Sequence, residues 1–251
     1  MIEEAALSLE HSQTRKSDAQ REHEQTCARV ASRFGERWLR IYAWRKLRSD
    51  PIFPAAFELL ANSTQPLVDV GCGVGLLAFY LRERNFRPPI SGFDCDRRKI
   101  ERASAAAKGR YRDLDFREQD VCDPIGPRGN VVLFDLLHYL SPNEQSRLLE
   151  RLAAQLAPGG LLMIRDCPRE RGARFWLTQL AERFAQVTTW NVKGPLHFPT
   201  REQIFATFAP EKFAGTLRPL WGRTPFNNHL FVFRRHAAEA VLARAGHSDN
   251  L

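Results

Sequence analysis

At 251 residues the chain has the size of one compact α/β domain with an added segment, and burial at that length supports a stable core. No apolar run reaches the roughly eighteen residues that span a bilayer, and the start at Met1 has no signal-peptide pattern, so a cytoplasmic protein is expected; Cys27, Cys72, Cys95, Cys122 and Cys167 lie far apart with no Cys-x-x-Cys, which excludes a zinc knuckle and a disulfide framework. The formal charge of +8 suits an anionic partner such as RNA, an acidic carrier protein or a membrane surface, whereas the scatter of the arginines suits a solvated exterior.

Residues 1–25 are polar, with little to bury, and are expected to be flexible or a loosely attached helix. Residues 26–62 form a helical extension. Within it Val30, Phe34, Trp38, Ile41 and Tyr42 recur at helical spacing from Arg29 to Leu47, with Trp44 nearby. That pattern fits a helix packed on the core by its aromatic stripe, a lid over a pocket, or a basic helix lying on a membrane surface. Ser49-Asp50-Pro51 stops it and a second short helix follows from Phe53 to Ala61.

The main domain is expected over 63–236. Leu67-Val68-Asp69-Val70 is an apolar strand ending in Gly71-Cys72-Gly73-Val74-Gly75, and Leu76 to Arg84 resumes as a helix. Alternating glycines permit positive φ and close approach of a ligand to the backbone, so strand, turn and helix form the first unit of a nucleotide-binding α/β fold. A dinucleotide fingerprint would place its third glycine one residue later, where Leu76 stands. Strand Ile90–Phe93 ends at Asp94, placed so that both carboxylate oxygens can accept from the two hydroxyls of a ribose, a grip that suits NAD equally well. Asp96 caps the helix Arg97–Lys108, and strand Leu114–Glu118 leads into Gln119-Asp120-Val121, where Asp120 also fits an ordinary Asx turn. Asn130–Phe134 reads as a strand buried on both faces, followed by Asp135-Leu136-Leu137-His138-Tyr139. Ser141-Pro142-x-Glu144 opens a helix to Leu156 in capping-box fashion, Pro158-Gly159-Gly160 closes it, and strand Leu161–Arg165 follows. Beyond lie a helix from Phe175 to Ala185, a helix from Arg201, and two strands around Leu217–Trp221 and His229–Phe233; residues 237–251 form an Ala-rich tail.

Asp69-Val70-Gly71-Cys72-Gly73-x-Gly75 resembles motif I of the class I S-adenosylmethionine-dependent methyltransferases, and the order of acidic strand end, acidic turn, apolar strand and Pro-Gly-Gly extends the resemblance from Asp69 to Asp166. It implies a Rossmann-like α/β fold with a seven-stranded, mostly parallel sheet, an antiparallel C-terminal hairpin and helices on both faces. It implies S-adenosylmethionine as cofactor and S-adenosylhomocysteine as product. Asp69, Gly71, Cys72, Gly73 and Gly75 would then hold the methionine end, Asp94 and Cys95 the ribose, Asp120 and Val121 the adenine, with Asp135 completing the set.

Methyl transfer is an in-line displacement that rests on alignment, and His138 is the candidate base where one is used, with a bracing role as the alternative. Tyr42, Trp44, Tyr139, His197, Trp221 and Phe226 are the candidate acceptor walls. The Asn/Asp-Pro-Pro-aromatic motif of enzymes that methylate exocyclic amines in nucleic acids is missing after the fourth strand, which argues against nucleic acid. Asp135 and Asp166 partly match metal-dependent catechol-type enzymes, but Cys167 replaces their Asn, so no metal is expected. More narrowly, 46–51, 92–96, 137–140 and 222–228 resemble bacterial methyltransferases of aryl-polyene and pigment biosynthesis. That likeness implies a small aromatic or polyketide-like acceptor, carried by an acidic acyl carrier protein or free. Peripheral membrane contact, RNA or protein methylation, and a binding module without turnover stand as the alternatives.

Overall fold

A computed structural model describes residues 2–123, 129–187, 194–222 and 224–237, with side chains over 17–123, 129–184, 194–222 and 224–237. Seven strands form one sheet in the order β3-β2-β1-β4-β5-β7-β6, with β1 at Leu67–Val70, β2 at Ile90–Asp94, β3 at Leu114–Glu118, β4 at Asn130–Phe134, β5 at Leu161–Asp166, β6 at Phe213–Pro219 and β7 at His229–Arg235. The first five pair in parallel, while β7 runs antiparallel to β5 and β6 to β7, as the resemblance implies.

The central strands are apolar because both faces are covered. Val131, Leu133, Leu162 and Ile164 point into one core, shared with Leu148, Leu149 and Leu152 of helix α6 (Pro142–Gln155); Val132 and Met163, at the alternate positions, point into the other. That second core is filled by α1 (Ile2–Ala31), α2 (Arg37–Ser49), α3 (Ile52–Leu60) and α4 (Leu76–Glu83). The strand order reverses between β1 and β4, so their carboxyl ends open a crevice at which ligands bind in open sheets of this kind.

Two features mark the N-terminal region. Residues 2–31 form one long helix, and its final turns are fixed, with His23, Thr26 and Cys27 buried. The His23 ring lies 2.8 Å from the Tyr80 hydroxyl, and Arg29 and Arg33 both bind Glu83 at 2.7 Å. These anchors are polar groups spaced along a polar helix, which an apolar periodicity does not register. In addition, α1 and α2 are separate helices with a break around Gly35, so the phase of the apolar stripe resets. Leu39, Ala43 and Leu47 face the core, whereas Trp38, Ile41 and Trp44 are 47%, 49% and 40% exposed, against the reading of an aromatic stripe packed inward. Arginines cover two of these rings instead: Arg102 lies over Trp38 and Arg48 over Trp44.

The remaining helices are α5 (Arg97–Ala107), α7 (Ala173–Val187) and α8 (Arg201–Ala206). Asp96 caps α5 by accepting from the Arg98 amide, and Ser141 and Glu144 close the full capping box on α6. Residues 238–251 of the Ala-rich tail lie outside the described residues.

Candidate active site

The turn after β1 holds Gly71, Gly73 and Gly75 at φ of 75°, 57° and 77°. Their reasons differ. A Cβ on Gly71 would run into Leu136, and one on Gly75 would lie 2.8 Å from the Phe116 ring, so these two are small because protein fills the space. A Cβ on Gly73 would meet nothing within 4 Å, so its open side faces a cavity. The Gly73 amide donates to Asp94 Oδ2 at 3.0 Å and the Asp96 amide to Oδ1 at 2.9 Å, which fixes the buried Asp94 carboxylate at the end of β2. Each oxygen keeps a further lone pair for a ligand hydroxyl.

The cavity at this sheet edge has a volume of about 420 Å³, within the range of small-molecule sites. Asp69, Gly71, Cys72, Gly73, Asp94, Cys95, Asp120, Val121 and Asp135 all line it. Burial first, and then the neighbouring Asp94, push the Asp69 carboxyl up to about 7, a condition that a cationic ligand group would reverse. Asp120 accepts from the Cys122 amide at 2.8 Å, so the Asx turn is present and its carboxylate lies on the cavity wall as well. Gly75 is the exception in the set: it starts α4 from beneath Phe116 and does not line the cavity.

The opposite wall brings Tyr42 and Lys46 from α2 against Phe134, Asp135 and Tyr139, with Arg165 and Glu182. Arg165 is buried and binds Asp50 at 2.6 Å and also Asp135, while Lys46 lies 2.8 Å from Asp50. Asp135 takes φ 53°, a left-handed conformation that aspartate tolerates better than most side chains, and is held there by Arg165 and by its own amide donating to the Arg165 carbonyl at 2.8 Å. This network ties α2 to the ends of β4 and β5. The two cations Lys46 and Arg165 face the two carboxylates Asp50 and Asp135, which leaves Glu182 as a third carboxylate on the wall.

A family model described as a methyltransferase domain matches residues 39–248. The chain belongs to the class I S-adenosylmethionine-dependent methyltransferases. The chain is 25% identical over 162 residues to the human tRNA N(3)-cytidine methyltransferase METTL2B, covering 59% of this chain and 42% of that one. It is 32% identical over 113 residues to the trans-aconitate 2-methyltransferase of Sinorhizobium medicae, covering 43% and 42%. The chain thus spans less than half the length of these two relatives. Among solved structures, the magnesium protoporphyrin IX methyltransferase of Synechocystis PCC 6803 with bound S-adenosylhomocysteine shares the fold at a TM-score of 0.55 and 17% identity, over 72% of this chain and 78% of that one.

The glycine turn and the strand-end aspartates fit such a nucleoside: open space over Gly73, lone pairs on Asp94, and a buried carboxyl at Asp69 that lacks a compensating cation in its immediate electrostatic surroundings.

The acceptor side differs from the sequence reading. Tyr42 and Tyr139 line the cavity, but Trp44, His197, Trp221 and Phe226 do not. Trp44 points to solvent on the outer face of α2. Trp221 lies under the Arg174 guanidinium, on the edge of the His229 ring. His197 contributes its backbone, donating to the His138 carbonyl at 2.8 Å and accepting from Gln145 at 2.6 Å. Phe226 is half-buried beside Asn227, which is anchored to Thr178.

His138 is not among the lining residues either. It is 3% exposed, stands behind the cavity wall, and pairs through Nδ1 with Asp166 at 2.9 Å. Burial works against its charge, but Asp166 and Glu182 outweigh burial and hold it up to about 10. That position, behind the cavity wall and clamped by Asp166, suits the bracing role that the sequence left open beside that of a base. Its Nε2 faces Glu182 at 3.7 Å, and the Tyr139 hydroxyl donates to the same Glu182 carboxylate at 2.5 Å.

Lys46, Arg165 and Glu182 were not singled out as site residues from sequence. Arg165 carries a legible signal, a cation following four apolar residues in a buried strand; Glu182, one of three charged residues in α7, carries none.

Proposed function

We propose that this protein transfers a methyl group from S-adenosylmethionine to a small acceptor, aromatic or polyketide-like, rather than to a macromolecule. The observation that carries this reading is the single cavity shared by the glycine turn and by Tyr42, Phe134 and Tyr139, with α2 locked over it by the Asp50–Arg165 pair. S-adenosylmethionine, when bound, supplies a methyl carbon already activated by its sulfonium. Asp69, Gly73 and Asp94 would hold it; Tyr42, Phe134 and Tyr139 offer aromatic faces against which a flat acceptor can be aligned.

The formal net charge of +8 would suit an acidic acyl carrier protein, and such a carrier is part of the proposal. The same charge and the likeness to a tRNA-modifying relative favour RNA as a second reading. Incubation with methyl-labelled S-adenosylmethionine and a bacterial extract, before and after nuclease and protease digestion, separates them. Label in a small molecule that survives both digestions is the expected result. Label confined to the nuclease-sensitive fraction would replace this reading with the RNA one.

A further inference from the structure

The carboxylate of Glu182 enters the cavity from α7, and the surroundings of that helix are unusual. Trp176, Leu180 and Phe184 of α7 are 63%, 51% and 71% exposed, while the acid between them is turned inward. A surface helix normally does the reverse. The inward position is built in layers: Tyr139 donates to Glu182 at 2.5 Å, His138 Nε2 stands 3.7 Å away without a closer partner, and Asp166 clamps the far side of that imidazole at 2.9 Å. Phe198 stacks on the His138 ring with centroids 5.2 Å apart, fixing its plane. Such support is what holds a recognition group in place.

The charges around Glu182 decide what it can meet. Lys46 and Arg165, the cations on the same wall, are engaged by Asp50 and Asp135, and His138, behind the wall, lies between Asp166 and Glu182 itself. Lys99 lies at the other end, where its charge acts on Cys72 and Cys95 beside the glycine turn. An acceptor carboxylate placed here would therefore face another carboxylate with no uncommitted cation on that wall to offset the repulsion. A hydroxyl or amine would instead donate to Glu182 in a charge-assisted hydrogen bond.

We propose that Glu182 recognises the acceptor through its O–H or N–H, so that the protein selects hydroxyl- or amine-bearing molecules and rejects carboxylates. Tyr139 and His138 act through Glu182 as positioning residues. The inference rests on the reading that this cavity holds S-adenosylmethionine beside the acceptor, and it specifies the acceptor's chemical class.

The test uses the full chain saturated with S-adenosylhomocysteine and three probes of matched size: 4-ethylphenol, 4-ethylaniline and 4-ethylbenzoate. Their affinities are read by ligand-observed NMR for the wild type and for Glu182→Gln, which keeps the shape and removes the charge. The phenol and the aniline should bind about tenfold or more tightly than the benzoate in the wild type, a difference of one charge-assisted contact. In Glu182→Gln that gap should shrink to about threefold or less, with S-adenosylhomocysteine affinity held within about twofold. Equal binding of all three to the wild type, binding of none, or a gap that survives the substitution would overturn the proposal. So would a parallel loss of all three in the variant, which marks a structural role. Failure of the wild type to bind S-adenosylhomocysteine would instead remove the cofactor reading, and the proposal with it.

Discussion

Gly73→Ala separates a glycine kept for a ligand from one kept for packing. The added methyl meets no protein atom within 4 Å, so the folded state is charged only for placing a side chain at φ 57°. That conformation costs about 1–2 kcal/mol, or a fall of roughly 2–8 °C in Tm at this chain length. The same methyl stands in the space over the turn that the nucleoside would fill, and overfilling a tight contact costs about 1–3 kcal/mol. S-adenosylhomocysteine affinity should therefore fall by roughly 5- to 150-fold while the protein stays folded. Differential scanning fluorimetry of the free protein gives the first quantity, and isothermal titration calorimetry the second. Gly71→Ala serves as the contrast, since its methyl runs into Leu136 and should lower stability in the absence of any ligand. A Gly73→Ala protein that loses stability as expected yet binds the nucleoside as well as the wild type would refute the placement of the cofactor over this turn.

Removing the carboxylate in Asp94→Ala should weaken cofactor binding by about 1–3 kcal/mol through the unmet hydroxyls, and unchanged affinity by calorimetry would remove the ribose assignment. Arg165→Met strands Asp50 and Asp135 in the wall with Lys46 alone, which should destabilise the fold by about 3–5 kcal/mol; chemical denaturation showing a loss below about 1 kcal/mol would mean that the network does not anchor α2. For Asp69, the carboxyl raised to about 7 binds its proton more tightly in the folded than in the unfolded chain. The corresponding stability is present at low pH and is lost as pH rises through about 7. A cationic amino-acid end of the cofactor favours the ionised form, so S-adenosylmethionine affinity should rise from about pH 6 to about pH 8, with proton release seen as a buffer-dependent heat near the lower end. Asp69→Asn should abolish both, and a flat profile in the wild type would contradict the assignment.

The fold was largely readable because its signals are local. Val70 into Gly71, Ile90 into Asp94 and the uninterrupted Val131–Phe134 each declare a buried strand reaching the sheet edge, and Pro158-Gly159-Gly160 marks the return into β5. The cofactor side is equally local, since Asp69, Gly73 and Asp94 sit at ends of strands that the order of the chain brings together. The acceptor side is not. Trp44 lies two residues from Tyr42, on the outer face of the same helix, and only the break at Gly35 decides which of them turns inward. His138 stands at the expected strand end, but the Asp166 and Glu182 that set its charge lie 28 and 44 positions further along the chain. Trp221 and Phe226 read as pocket aromatics, yet the loop that holds them packs against His229 and Thr178 outside the cavity. Nothing periodic in α7 singles out Glu182.

The most direct measurement is a calorimetric titration of the full chain with S-adenosylhomocysteine, followed by a crystal structure of the product. The account predicts saturable binding at a single site, with the nucleoside lying over Gly73 and its ribose on Asp94. Absence of binding heat, or a nucleoside seated away from the carboxyl ends of β1 and β2, would contradict it.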